Sequence, residues 1–183
     1  MDYGIANTTG QLSQVEIDKI VECALANGIC YFDTAQSYRN SESVLGKALK
    51  KYKNRDSVKV VSKLSPDLQE CSSDIIIKSV RSSVKKLNVA YLHGFLAHRV
   101  EVIYKKSYTV AIQQLKNEGL ILKTGVSVYT PNDALTLLEN PLVEILQIPF
   151  NILDRRWIDK GILKKAEENN VQLFFRSIFL QGL

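Results

Sequence analysis

Four side chains among the first hundred residues have the types needed for proton transfer: a carboxylate, a phenol, an amine and an imidazole. Asp33 and Tyr38 lie in the segment FDTAQSY, Lys63 lies in VVSKL, and His98 lies in FLAHR. Each lies at or just past the end of a short apolar segment, and parallel α/β sheets carry functional groups at the carboxyl ends of their strands. We therefore expect the four side chains to converge at one mouth of the fold.

These groups complement one another chemically. A free phenol has a pKa of about 10 and is a poor proton donor at neutral pH, but an ammonium within hydrogen-bond reach lowers that pKa. Lys63 supplies the ammonium, Asp33 can hold it in place, and His98 can orient a substrate carbonyl. The set predicts a site at which Tyr38 protonates a carbonyl oxygen while another group delivers hydride.

Each residue also has a purely structural explanation. Taken alone, Lys63 fits a solvated loop residue, Tyr38 fits packing, and Asp33 fits a cap for a helix that begins near Asn40. The ordered combination with His98 favours the functional interpretation over these separate ones.

Six short apolar segments must position these residues. They are continuous rather than alternating in polarity, which is typical of strands buried on both faces of a parallel sheet. The predicted strands are 30–35, 58–64, 92–98, 121–129, 144–150 and 171–179.

Amphipathic helical patterns separate the predicted strands. The first carries a capping box of Ser13 and Glu16 and is predicted to end at Gly28. The apolar stripes expected to face the sheet are Ile17, Ile20, Val21, Ala24 and Leu25; Val44, Leu45, Ala48, Leu49 and Tyr52; Ile76, Val80, Val84 and Leu87; Val110, Ala111 and Leu115; and Ile158, Ile162, Leu163 and Ala166.

A strand–helix unit that recurs in this way predicts parallel strands with right-handed crossovers. No proline-rich or low-complexity segment divides the chain, so residues 1–183 are interpreted as one domain. An open doubly wound sheet and a barrel both fit the repeat. A TIM-type (β/α)8 barrel is favoured, because no G-x-G-x-x-G follows the first strand and polar residues follow many strands. Those polar residues are Asp33, Lys63, His98, Ser127, Gln147 and Arg176.

The composition indicates a globular cytoplasmic protein. Of 183 residues, 45% are hydrophobic, and no apolar segment approaches the ~20 residues that span a bilayer. The start, MDYGIANTTG, has no signal-peptide pattern, and Cys23, Cys30 and Cys71 lack metal-ligand spacing, which indicates reduced thiols and no metal site. The net charge of +5 comes largely from helix faces without interleaved aromatic residues, so neither nucleic acid nor membrane is an expected partner.

The segment from Gly28 to Leu49 follows the pattern G-x-x-Y-F-D-T-A-x-x-Y-x-x-S-E-x-x-L-G-x-A-L and resembles the aldo-keto reductase family. VVSKL, FLAHR and GVSVY are similar to later segments of that family, and QIPFNILDRR (147–156) and the ending RSIFLQGL resemble its bacterial-type branch. The resemblance covers essentially the whole chain. It implies an NAD(P)H-dependent oxidoreductase that reduces the carbonyl of a small aldehyde or ketone to an alcohol.

The resemblance also implies a role for each candidate catalytic residue. Tyr38 would be the general acid, Lys63 and Asp33 would tune it, and His98 would orient the carbonyl. These are the roles that the chemistry of the four side chains predicts independently.

The implied cofactor is NADPH, or alternatively NADH. Ser127 and Gln147 match the residues that hold the nicotinamide carboxamide, and Arg176 lies where the family often has an aromatic ring stacked on the nicotinamide. Two positions depart from the family pattern. Arg39 replaces a common glycine, and Val128 replaces an asparagine that often follows the equivalent of Ser127.

The family barrel has eight strands, and the six predicted here correspond to strands two through seven. The barrel is therefore expected to be incomplete and truncated, with Tyr3 and Gly4 in what resembles the loop after strand one. Open edges predict self-association, and loss of the segment that binds the cofactor's adenosine phosphate predicts impaired activity. The alternatives are a non-catalytic remnant or interaction module on this scaffold, and a cofactor-free isomerase or lyase.

Overall fold

The computed structural model describes residues 10–52, 57–68 and 71–180. The expectations for the start of the chain, including Tyr3 and Gly4, and for the last three residues lie outside this part. Within it, each predicted strand segment contains one strand. The strands are β1 Tyr31–Asp33, β2 Lys59–Lys63, β3 Leu92–Ala97, β4 Ile121–Ser127, β5 Ile145–Pro149 and β6 Gln172–Arg176.

The strands form one parallel sheet in the order β1-β2-β3-β4-β5-β6. The sheet curls until its first and last strands face each other. The ring contact between these strands shows this, since the Tyr31 ring packs edge-on against the Phe174 ring with centroids 5.4 Å apart. This is an incomplete TIM-type (β/α)8 barrel, which confirms the predicted fold class. All six carboxyl ends consequently meet at one mouth.

Helices alternate with the strands, and three of the described helices begin after a residue whose side chain caps the first turn. The predicted capping box is confirmed, because the Ser13 side chain accepts from the Glu16 N–H and the Ser13 N–H donates to the Glu16 carboxylate. Ser72 and Thr130 likewise accept from backbone N–H groups at the starts of two later helices. The helices are α1 Gln14–Ala26, α2 Ser41–Lys50, α3 Ser73–Leu87, α4 Val100–Ile103, α5 Lys106–Asn117, α6 Pro131–Leu137, α7 Arg156–Asp159 and α8 Ile162–Glu168.

The apolar residues divide between the two faces of the sheet. The main core lies between the sheet and the helices and includes Phe95 and Trp157. A smaller cluster of Val61, Leu96 and Ile145 lies on the inner face, since neighbouring residues of a strand point to opposite faces. Among the described residues, no helix is long and apolar enough to cross a bilayer, and no three His, Cys, Asp or Glu side chains are grouped to hold a metal ion.

Three of the predicted stripe residues are wrong. Ile20 is 55% exposed, Val110 is 48% exposed and Ile158 is 49% exposed, and near Ile158 the side chain of Trp157 enters the core instead. The last helical pattern divides into α7 and α8 because Gly161 has a φ of +69°, a conformation that favours glycine and interrupts the helix. No helix is predicted over Pro131–Leu137, where the structure has α6.

Candidate active site

The amine of Lys63 is the buried centre of the site. Its side chain is 1% exposed, and Nζ donates to Asp33 Oδ1 at 2.6 Å and to the Thr34 carbonyl at 2.8 Å. Asp33 therefore pairs with an ammonium. The alternative role for Asp33, a cap of α2, does not apply, because the N-cap residue of α2 is Asn40. Burial lowers the pKa of Lys63 because it disfavours the charged form; the Asp33 carboxylate opposes this shift, and the Arg176 guanidinium adds to it.

Tyr38 contacts both Lys63 and His98. The Lys63 Nζ lies 5.4 Å from the centroid of the Tyr38 ring. The rings of Tyr38 and His98 meet edge to face, with centroids 6.3 Å apart and planes at 86°. The structure thus brings Asp33, Tyr38, Lys63 and His98 together, from three neighbouring strands and the loop after β1.

A hydrogen-bonded turn positions Tyr38. The Tyr38 carbonyl accepts from the Ser41 N–H at 2.9 Å, which joins the turn to the start of α2. Gln36 anchors the same turn, because its side chain accepts from the Ser65 N–H at 3.0 Å and donates to Ser83 Oγ at 3.0 Å. These hydrogen bonds attach the turn to the loop after β2 and to α3. The turn that contains Tyr38 is therefore fixed to two neighbouring elements.

His98 directly follows β3 and is half-buried. Its Nδ1 is buried and has no hydrogen-bond partner among the described residues. Burial lowers the pKa of His98, and the charges of Lys63 and Arg176 lower it further, against the opposing carboxylates of Asp33 and Asp67. His98 is therefore neutral near pH 7, with one donor and one acceptor nitrogen, and can donate to a carbonyl without carrying charge.

Ser127 and Gln147 lie side by side on β4 and β5. They are paired in register, and both are almost fully buried. Each lies two residues beyond the Gly125–Ile145 pair, so both face the inner side of the sheet as Ile145 does. The Oε1 of Gln147 is a buried acceptor with no partner in the described part of the chain. The pair consequently offers an unsatisfied acceptor beside a hydroxyl.

Arg176 ends β6 at the same mouth. Its guanidinium carbon lies 4.3 Å from the centroid of the Tyr129 ring, and its Nη2 donates to the Val128 carbonyl at 3.4 Å. Its Nε is buried and has no hydrogen-bond partner among residues 10–52, 57–68 and 71–180. Because its charge lowers the pKa of both Lys63 and His98, Arg176 is electrostatically part of the same site.

The structure shows the surroundings of both departures from the family pattern. Arg39 has a φ of +46°, in the left-handed region that favours the glycine common at this position. Val128 packs in the main core, and its N–H donates to the Gln147 carbonyl at 2.9 Å. Its side chain therefore takes part in packing at a position where an asparagine would supply an amide.

A cavity of about 220 Å³ opens beside His98, between the loops that follow β2 and β3. Leu64, Pro66 and Leu68 form an apolar part of its wall, and Arg99 lies among its polar lining. The volume lies below the range usual for drug-sized ligands. Its lining residues include His98 but neither Tyr38 nor Lys63, so His98 connects this cavity with the candidate catalytic residues.

Sequence reasoning missed three contributors to the site. The carbonyl of Thr34 accepts from Lys63, the side chain of Gln36 anchors the loop, and Tyr129 supports Arg176. Thr34 and Gln36 lie inside the FDTAQSY segment, so their polarity after a strand was an available signal. No local pattern distinguishes Tyr129 from an ordinary exposed tyrosine.

Comparisons of sequence bear on the identity of the chain. The model of the Aldo/keto reductase family matches residues 1–183. The aldo-keto reductase YhdN of Bacillus subtilis is 26% identical over 172 residues, which covers 89% of this chain and 52% of that protein. D-arabinose 1-dehydrogenase of Saccharomyces cerevisiae is 30% identical over 139 residues, covering 71% of this chain and 41% of that protein. The chain thus spans about half the length of these curated relatives.

Solved structures share the architecture. The holo form of an aldo-keto reductase from Bacillus halodurans superposes with a TM-score of 0.79 at 24% identity, covering 94% of this chain and 60% of that one. A glycerol dehydrogenase from Gluconobacter oxydans gives a TM-score of 0.71 at 25% identity, covering 90% of this chain and 54% of that one. Both structural similarities support the incomplete barrel. The similarity to the Bacillus halodurans structure concerns the fold alone.

Proposed function

The chain belongs to the aldo/keto reductase family, and we propose that its mouth is the proton-transfer site of an oxidoreductase that reduces aldehydes or ketones to alcohols. In this proposal Tyr38 is the general acid, Lys63 and Asp33 tune it, and His98 orients the carbonyl. The chain spans about half the length of its curated relatives. Its activity, its substrates and its partners are therefore proposed here.

The observation that carries the proposal is the buried ammonium of Lys63 beside the Tyr38 ring. Burying an ammonium costs free energy even when it is paired, and an apolar side chain would serve stability at least as well. The Asp33 carboxylate and the Thr34 carbonyl accept two of the three ammonium protons. One proton remains for the neighbouring phenol, which supports a role in tuning Tyr38.

Each residue then has a defined task during reduction. A carbonyl oxygen placed within reach of Tyr38 Oη and the His98 ring receives the phenol proton as the oxygen becomes negative. The ammonium of Lys63 stabilises the phenolate left behind, and this attraction is strong because Lys63 is shielded from water. Neutral His98 donates a hydrogen bond that orients the carbonyl.

Ser127 and Gln147 fit the carboxamide of a nicotinamide dinucleotide. The buried, unpartnered Oε1 of Gln147 can accept from an amide N–H, and the Ser127 hydroxyl beside it can donate or accept. When bound, the dinucleotide supplies the hydride. NADPH, with NADH as the alternative, is proposed from the family resemblance, and Arg176 can present to a ring the guanidinium face that Tyr129 leaves open.

The proposal is tested with the full chain and a neutral aldehyde, 4-nitrobenzaldehyde, with NADPH and NADH in parallel. Tyr38→Phe removes only the phenolic hydroxyl and should lower kcat/KM by about 10²- to 10⁴-fold. The dissociation constant of the cofactor, followed by nicotinamide fluorescence, should stay unchanged. Tyr104→Phe is the matched control, because Tyr104 is 56% exposed at the end of α4.

Three outcomes would count against the enzyme. Equal turnover by Tyr38→Phe and wild type would remove Tyr38 from the reaction. Absence of binding by either cofactor at millimolar concentration would remove the redox chemistry from this chain. Cofactor binding without any turnover would favour the alternative, a non-catalytic interaction module on the same scaffold.

Location and assembly belong to the same proposal. Cys23, Cys30 and Cys71 are free, which supports a reducing, cytoplasmic setting. Within the described sheet β1 and β6 each have one neighbour, and near the second edge Phe175 and Phe179 are exposed, which supports self-association. A monomer that persists at every concentration in sedimentation experiments would contradict self-association.

A further inference from the structure

We propose that Arg176 binds an anionic oxygen, a carboxylate or phosphate, on the carbonyl substrate, so that the site prefers anionic aldehydes and ketones. This inference rests on the proposed function, because it names the substrate class of that same site. Three observations around Arg176 carry it.

The guanidinium of Arg176 is held in place without a ligand. It lies over the Tyr129 ring at 4.3 Å and donates to the Val128 carbonyl at 3.4 Å. A flexible arginine would lose much of its side-chain freedom on binding, whereas a fixed one has already lost it. The arrangement is therefore preorganised for a ligand at the mouth.

One donor of this fixed group is unsatisfied. The Nε–H of Arg176 is buried and meets no acceptor among the described residues, a state that native structures avoid unless a ligand or water completes it. Guanidinium groups match the geometry of carboxylates and phosphates, and such charge-assisted bonds are stronger than neutral ones. An anionic oxygen at the mouth would satisfy Nε–H.

The charge balance at the mouth points the same way. The carboxylate of Asp33 is engaged by Lys63 at 2.6 Å, so it neutralises that ammonium. Asp67, whose charge also reaches His98, is exposed and contacts Ser65. No ion pair links Arg176 to a carboxylate in the described part of the chain, which leaves its positive charge for an incoming group.

The test compares 3- and 4-formylbenzoate with their neutral methyl esters in the full chain, because each pair differs mainly in the anionic oxygen. Wild type should show a higher kcat/KM for at least one acid than for its ester. Arg176→Gln should lower that acid-to-ester ratio by about 10- to 100-fold, the loss expected for one charge-assisted hydrogen bond. Arg176→Lys should retain part of the ratio. Arg155→Gln, a control at a side chain that is 73% exposed at the start of α7, should keep it.

The outcomes separate this inference from the proposed function. An unchanged ratio in Arg176→Gln would overturn the inference while turnover of the esters upheld the function. If the ratio were unchanged but the NADPH dissociation constant rose tenfold or more, the anion would belong to the dinucleotide, which also overturns it. If no aldehyde were reduced, calorimetric binding of the formylbenzoates would decide: binding lost in Arg176→Gln supports the inference, and equal binding, or none in wild type, overturns it.

Discussion

Gln172 on the last strand donates a hydrogen bond to the Tyr31 hydroxyl on the first strand, with Nε2 and Oη 3.4 Å apart. Lys59 donates to the same hydroxyl at 3.2 Å, and Lys123 donates to Gln172 Oε1 at 3.1 Å. These side chains form a polar layer near the amino ends of the strands, opposite the mouth. The two edge strands are thus connected across the inner face by side chains, although no backbone pairing joins them within the described sheet.

This connection predicts that the Tyr31 hydroxyl contributes to stability. Tyr31→Phe keeps the ring contact with Phe174 and removes two hydrogen bonds, so the free energy of unfolding should fall by about 1 kcal/mol. Urea denaturation measures the change. Tyr91→Phe, at a residue that is 40% exposed, is the control and should leave the unfolding free energy as it is. Equal stability of the two variants would show that the connection adds nothing.

Lys63→Met should separate activity from stability. The variant removes the ammonium that tunes Tyr38, so kcat/KM for 4-nitrobenzaldehyde should fall by about 10²-fold or more. The free energy of unfolding should not decrease, because the cost of burying the ammonium disappears and Asp33, with 38% of its side chain exposed, can hydrate.

The control for this variant is Lys164→Met, at a side chain that is 83% exposed on α8. It should preserve both quantities. Retained activity in Lys63→Met would remove the amine from the proposed chemistry, and a large loss of stability would assign Lys63 a structural role instead.

Both histidines should make the fold weaker in mild acid. Burial and neighbouring positive charges lower the pKa of His93 and of His98 below the ordinary value of 6.5. The unfolded chain therefore binds more protons as the pH falls through 6.5, so stability is full above that value and declines below it. Unfolding by urea at about pH 7.5 and about pH 5.5 measures this decline.

Single variants assign the decline to each histidine. His98→Gln and His93→Gln should each reduce the difference in unfolding free energy between the two pH values. A difference that is unchanged in both variants would mean that neither imidazole senses its buried surroundings.

Gly125→Ala should disrupt the pairing that supports Ser127 and Gln147. An added Cβ would lie 1.8 Å from the Ile145 carbonyl oxygen, so the β4–β5 backbone must move, at a cost of about 1–3 kcal/mol or more. Gly94→Ala is the matched comparison, because its Cβ would meet the end of the Ile145 side chain at 2.6 Å, which can rotate away. Thermal unfolding should rank Gly125→Ala as the less stable variant, and the reverse order would contradict this.

The sequence predicts the elements of this fold well where one residue pattern dominates. All six strands lie inside their predicted segments, since continuous apolar segments distinguish buried parallel strands from amphipathic helices. The predictions fail where the contacts are not local. Ile158 fits a helical stripe in sequence, but the helical pattern is interrupted at Gly161, and on α7 Trp157 is buried instead of Ile158.

By itself, the sequence of this protein determines the residue types of the site and their order along parallel strands. It predicts that Asp33, Tyr38, Lys63 and His98 share one mouth, because parallel strands deliver their carboxyl ends together. Only the tertiary structure decides which groups are paired and which are left unsatisfied. Asp33 is engaged by Lys63, while the Nε of Arg176 has no acceptor among the described residues. Burial and pairing depend on how strands far apart in sequence curl together, and no local pattern encodes that curvature.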